Sequence, residues 1–272
     1  MRKPGRKPER CVCFMLLMFV AVLIFSATML ALHYIQEVRE EKELKRLAAI
    51  AAYNTPPASP GWNIHEITSI QPPTQTTQKT VMLEQYRELY EQNMDMAGWI
   101  KIDGTEINYP VMYTPEDGEF YLSHGFDKEE SKSGLPFIDK RCTAYPFGTN
   151  TIIYGHHMKN GTMFAGLLNY EDEGFYAAHP TIRFHTLYER REYEIIAVFR
   201  GKVFRKGDTD FKHYNFLNAE DAVAFAEYIA NIKELSLYNT GVTASYGDEL
   251  LTLSTCAYHV ENGQFVVVAR KT

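Results

Sequence analysis

The sequence predicts a mainly β domain, a closed barrel or a sandwich, with at least two helices added and one transmembrane helix in front of it. Three observations predict this. Eight short apolar or alternating runs follow one another between about residues 98 and 270, separated by Gly, Pro and Asp. Two segments with helical spacing of apolar residues flank and interrupt those runs. A long uncharged stretch lies near the N-terminus, behind a basic flank. Many short strands divided by turn signals are the mark of barrels and sandwiches.

The whole chain has 272 residues, 45% of them hydrophobic and 23% charged, with a formal net charge of −6. This is an ordinary globular balance, enough for one sizeable domain and accessory segments. The acidic total would repel phosphates and argues against a nucleic-acid partner.

From the N-terminus, Arg2, Lys3, Arg6, Lys7 and Arg10 crowd residues 1–10, opposed only by Glu9. Cys11 to Leu32 then carries no charged side chain. At about 1.5 Å per residue, a helix over this run crosses a hydrocarbon core of ~30 Å. The run exceeds the ~7–15 apolar residues of a signal peptide, so a retained signal-anchor over 11–35 is expected in preference to a cleaved leader. The basic flank predicts a cytoplasmic tail over 1–10, a single pass, and the remainder outside the cell. Residues 36–54, rich in Glu, Lys, Arg, Leu and Ala, predict a solvated helical stalk with only Leu44 and Leu47 as a weak stripe. Residues 55–80, with five prolines among Thr, Ser and Gln, read as an extended linker.

The folded domain is expected over 81–272. It opens with VMLEQYRELYEQNMDM, where Met82, Tyr86, Leu89, Asn93 and Met96 share helical spacing and Gly98 marks the end. The strand runs follow as GWIKI, INYPVMY, LPFID, TIIYGH, TIRFHT, EYEIIAVFR, ELLTLSTC and QFVVVAR. Between Gly207 and Gly241, Asn218 can cap a helix through Ala222, Phe225, Ala226, Ile229 and Ile232.

Chemistry concentrates in two of these runs. Along ELLTLSTC, Leu251 and Leu253 face one side and Thr252, Ser254 and Cys256 the other, so the cysteine ends a strand at a rim. A free thiol ionises near pH ~8.5 and needs a proton acceptor or a positive neighbour to act as a nucleophile. Alone, such a cysteine is more often a small core residue. The candidate partner is His156 at the end of TIIYG, after a glycine that lets backbone come close. His157 would point to the opposite face. His33, His65, His124, His179, His185 and His213 read as structural or exposed, and His259 as a loop residue. Only Cys142 and Cys256 stand in the exported part, so one disulfide between them would block the thiol. Adjacent histidines and a lone cysteine do not have zinc-site spacing, so neither a metal nor a cofactor is expected.

TLSTC ending at Cys256, YGHHM around His156 and the terminal FVVVAR strand together resemble the sortase family, with class B the nearest pattern. The resemblance spans roughly 81–272 and includes the helical extension of the domain and the helix near 219–235. It implies a closed eight-stranded β-barrel and a Gram-positive cell-wall enzyme. It also implies transpeptidation through a thioester on Cys256, with His156 moving the protons. The implied substrates are surface proteins with a C-terminal sorting motif of the NPQTN or NPxTG kind, cleaved after threonine. The implied acceptor is an amine of a peptidoglycan precursor, or a pilin lysine. Tyr154, Ser254 and Thr255 are candidate substrate-binding residues.

The family carries an arginine immediately before the terminal valines, and here that position is Gln264. Arg270 shares its face but lies about 20 Å further along an extended strand. A glutamine amide donates a hydrogen bond without charge, so its electrostatic contribution is smaller. Three readings stay open: Gln264 substitutes at reduced efficiency, an arginine from a loop reaches in, or the site is impaired. The competing functions are a cysteine peptidase acting on cell-wall peptides and a tethered module that only captures sorting signals.

Overall fold

The computed structural model describes residues 8–53, 81–204, 210–257 and 262–272. The expected linker 55–80, the basic residues from Arg2 to Lys7, Gly207, His65 and His259 lie outside them. The chain divides into two compact units, Met1–Lys45 and Arg46–Thr272.

The first unit is helical. Helix α1 runs from Pro8 to Tyr53 without a break, so the expected span and stalk form one element. The stretch from Val12 is long and apolar enough to cross a membrane. The stalk is not solvated to its end, because Leu47 and Ala51, one turn apart, are both buried in the second unit. Arg46 there donates to Gln92 Oε1 at 3.2 Å.

In the second unit, helix α2 covers Glu84–Gln92 and buries Gln85, Tyr86 and Leu89. It stops one turn before the expected end. Asn93 leaves helical geometry, and its amide is taken by Tyr121 Oη at 2.7 Å and the Phe126 carbonyl at 2.8 Å. Gly98 therefore lies inside the first strand, not at a helix end.

The eight strands among the described residues coincide with the eight runs. They are β1 (Met96–Lys101), β2 (Asn108–Met112), β3 (Phe137–Ile138), β4 (Asn150–Tyr154), β5 (Thr181–Thr186), β6 (Glu192–Lys202), β7 (Leu250–Cys256) and β8 (Gly263–Lys271). They close a barrel in the order β1-β2-β3-β4-β7-β8-β6-β5. Pairing is antiparallel except for β2 with β3 and β4 with β7. Parallel neighbours need a long crossover. That between β4 and β7 contains a 3₁₀ segment over Phe164–Glu171, helix α3 (Glu173–Ala178), β5, β6 and helix α4 (Ala222–Leu235).

Helix α4 covers the barrel wall. Phe225, Tyr228, Ile229 and Ile232 pack with Ile196, Phe199, Leu250, Val266 and Val268, which explains why β7 and β8 are buried on both faces. Its cap is Asp221, whose carboxylate accepts from Ala224 N–H at 2.8 Å, and not Asn218. Asn218 instead accepts from Thr149 N–H at 3.1 Å, tying the crossover to the start of β4. Asp221→Ala is expected to cost about 1 kcal/mol of stability, measured by urea unfolding of the full chain in detergent.

Candidate active site

The parallel pairing of β4 with β7 sets the site. Tyr154 stands level with Ser254, so the two chains leave their strands in phase, Gly155 and His156 beside Thr255 and Cys256. Three hydrogen bonds carry the register past the last strand pair. Gly155 N–H donates to Ser254 O at 3.2 Å, Thr255 Oγ1 donates to Gly155 O at 2.7 Å, and His157 Nδ1 lies 3.1 Å from Cys256 O. Gly155 is needed for a close approach, since a Cβ there would come 2.7 Å from the Phe164 ring. On the other side of β7, Cys256 pairs across the ladder with Gln264 of β8. Neighbouring strands lie about 4.8 Å apart, so three adjacent strands bring three distant residues together.

Tyr154, His156, Ser254, Thr255, Cys256 and Gln264 all line one cavity of about 720 Å³. Within it their situations differ. Cys256 is exposed at the end of β7 and unbridged. His156 is half-buried, and its Nε2 lies 2.7 Å from the Leu122 carbonyl. A carbonyl only accepts, so Nε2 carries the proton and Nδ1 is left as the basic atom of the neutral ring. His157 does not line the cavity; its ring Nδ1 instead lies 3.1 Å from the Cys256 backbone carbonyl. Ser254 and Thr255 are buried, with Thr255 committed to the Gly155 carbonyl. Tyr154 donates its hydroxyl to Asp139 Oδ2 at 3.2 Å, and burial raises its pKa.

Cys142 does not bridge Cys256. It is buried, donates to the Asn150 carbonyl at 3.7 Å, and burial pushes its thiol up to about 11.

Sequence reasoning missed the pair that forms another part of the cavity wall. Asp139 and Arg141, two residues apart after β3, both line it. The Arg141 guanidinium grips Asp139 Oδ2 at 2.6 Å and Oδ1 at 3.0 Å, and its Nη2 also donates to the Tyr214 carbonyl at 2.8 Å. An arginine from a loop does therefore reach the cavity, with its charge already matched by a carboxylate. Burial alone would raise the Asp139 pKa, but the guanidinium and the Arg141 N–H hold it below the usual carboxylate range. An acid and an arginine flanking one residue at a strand end was the available signal. Arg270 does not line the cavity; it pairs with Glu194 at 3.0 Å. His185 is a structural residue, sharing a 2.8 Å hydrogen bond with Tyr86.

An exposed thiol, a histidine and an amide gather in one cavity at the end of an eight-stranded barrel, an arrangement with the groups that cysteine acyl transfer requires. The chain belongs to the sortase family of cysteine transpeptidases: residues 100–272 match the sortase domain. It is 37% identical over 186 residues to sortase B of Listeria monocytogenes, covering 68% of this chain and 72% of that one. It is 31% identical over 188 residues to sortase B of Staphylococcus aureus, covering 68% and 74%. The solved Staphylococcus aureus sortase B–substrate complex superposes with a TM-score of 0.69 at 25% identity, over 88% of this chain and 98% of that one.

Asp139 contributes stability that is fully present above its unfolded pKa of about 3.9 and is lost as pH falls through its lower folded value. Arg141→Ala is expected to cost about 1–2 kcal/mol at pH 7, after discounting for a guanidinium that is 42% exposed. The gap to the unsubstituted chain should close below pH ~4, as read from thermal midpoints across pH.

Proposed function

We propose that this transpeptidase cleaves a C-terminal sorting motif after threonine and joins the acyl group to an amine of a peptidoglycan precursor. The observation that carries the reading is the in-phase exit of His156 and Cys256 from parallel strands into one cavity. In the first half-reaction, His156 Nδ1 takes the Cys256 proton. The thiolate attacks the threonine carbonyl, forming a C–S bond and an oxyanion. The C–N bond then breaks, the imidazolium proton goes to the departing amine, and a thioester remains. In the second, the acceptor amine attacks the thioester, its proton passes to His156, and the C–S bond breaks to release the thiolate. Gln264 and backbone N–H groups receive the oxyanion in both steps.

Helix α1 anchors the enzyme by a single pass, with its N-terminus in the cytoplasm and the barrel outside, where both substrates are held. Tethering raises the effective concentration of enzyme near membrane-bound substrate. The domain over 81–272 carries the catalysis.

The test uses the full chain in detergent with fluorogenic NPQTN and NPxTG peptides, with and without triglycine. Cys256→Ala should abolish turnover, and His156→Ala should lower it by about 10²–10⁴-fold. Triglycine should appear in the product as a new amide. Turnover indifferent to amine would make the chain a hydrolase, and cleavage unaffected by Cys256→Ala would remove the proposed nucleophile.

A further inference from the structure

Gln264 is flanked by Cys256 on β7 and by Gly201 on β6. The space beside Gly201 is filled by an imidazole. A Cβ on Gly201 would lie 3.1 Å from His213 Cε1 and 3.4 Å from Nδ1. His213 comes from the 3₁₀ turn His213–Asn215 in the β6–α4 crossover and is 2% exposed. Phe199 and Tyr214 hold its ring edge-to-face, at centroid distances of 5.4 and 5.2 Å. Burial keeps the ring neutral, its pKa pushed down to about 4, and the neighbouring Gln264 side chain opposes that shift.

In the two residues that neighbour Gly201, His213 Nε2 and Gln264 Oε1 are both buried with no hydrogen-bond partner among the described residues. Left unpaired, each keeps a desolvation cost that a hydrogen bond would relieve. A neutral imidazole carries one N–H, which an amide oxygen can accept on either of its two lone pairs. A proton on Nε2 would satisfy both atoms through one hydrogen bond once the two side chains turn toward each other.

We propose that His213 is a positioning residue for Gln264, donating Nε2–H to Gln264 Oε1 and so turning the amide NH₂ toward the oxyanion formed at Cys256. An unrestrained amide could present either its oxygen or its nitrogen to that charge, and only the nitrogen stabilises it. The imidazole, buried behind the amide, fixes the choice. In this way a neutral side chain serves at the position where a guanidinium would be self-sufficient. The proposal rests on the acyl-transfer reading of Cys256.

The test compares the full chain with three variants in detergent. His213→Phe keeps the ring volume against Phe199 and loses the donor, His213→Gln restores a donor, and Gln264→Leu removes the amide. Expected is a fall in kcat of about 10²-fold for His213→Phe and for Gln264→Leu, with KM little changed. His213→Gln should recover most of the loss, and His213→Phe should add nothing in the Gln264→Leu background. The rate of Cys256 alkylation by iodoacetamide should stay the same throughout, showing that fold and nucleophile are intact. In ¹⁵N NMR spectra the His213 proton should sit on Nε2. An active chain whose kcat is indifferent to His213→Phe, losses that multiply in the double variant, or a proton on Nδ1 would each overturn the proposal alone. A wild-type chain with no turnover would instead overturn the acyl-transfer reading beneath it.

Discussion

The site depends on the parallel ladder between β4 and β7. Local sequence does not bring His156 and Cys256 together; they are 100 positions apart, and what aligns them is a five-residue pairing that ends with Tyr154 level with Ser254. A slip of one residue would turn every β7 side chain to the opposite face. The histidine would then meet the buried Thr255 in place of the cysteine. Helix α4 packs on one face of β7 and β8, which lets these strands be apolar on both faces. The crossover that carries α4 is also what makes parallel pairing possible.

The contrast between the two thiols of the domain shows what position alone does to one functional group. Cys142 is enclosed near the base of β4, donates to a carbonyl and has its ionisation suppressed by burial. Cys256 stands at the end of β7, past its last pair with β4 and still level with Gln264 of β8, exposed, with its backbone carbonyl fixed by His157 and His156 lining the same cavity. The backbone around Cys256 is held on three sides while its side chain is left free. That division suits a group that must form and break a bond without moving its carbonyl.

Much of this was legible in the sequence. Strand positions could be read because the runs have period-two or continuous apolar character and each ends in Gly, Pro or Asp. Helix α4 could be read because Phe225, Ile229 and Ile232 share a face. The details that failed are those where two residues are equally competent locally. Asn218 and Asp221 are both good caps, and only the path of the crossover selects Asp221. Helix α2 looked longer because Asn93 fits the spacing, whereas its amide is drawn into tertiary contacts. The short helical segments over residues 164–178 were missed because they are too brief to show a period. His213 and Arg141 gained their meaning from strand order, which no local pattern encodes. Gln264 was legible as a departure, but its neighbour was not.

The central claim is that one sulfur carries the acyl group between two amines. Intact-mass spectrometry of the full chain mixed with a sorting peptide in the absence of acceptor tests it directly. The account predicts an added mass equal to the peptide up to its threonine, mapped by digestion to Cys256 and discharged on addition of triglycine. An acyl group mapped to any other residue, or steady cleavage with no adduct at Cys256 in rapidly quenched samples, would contradict it.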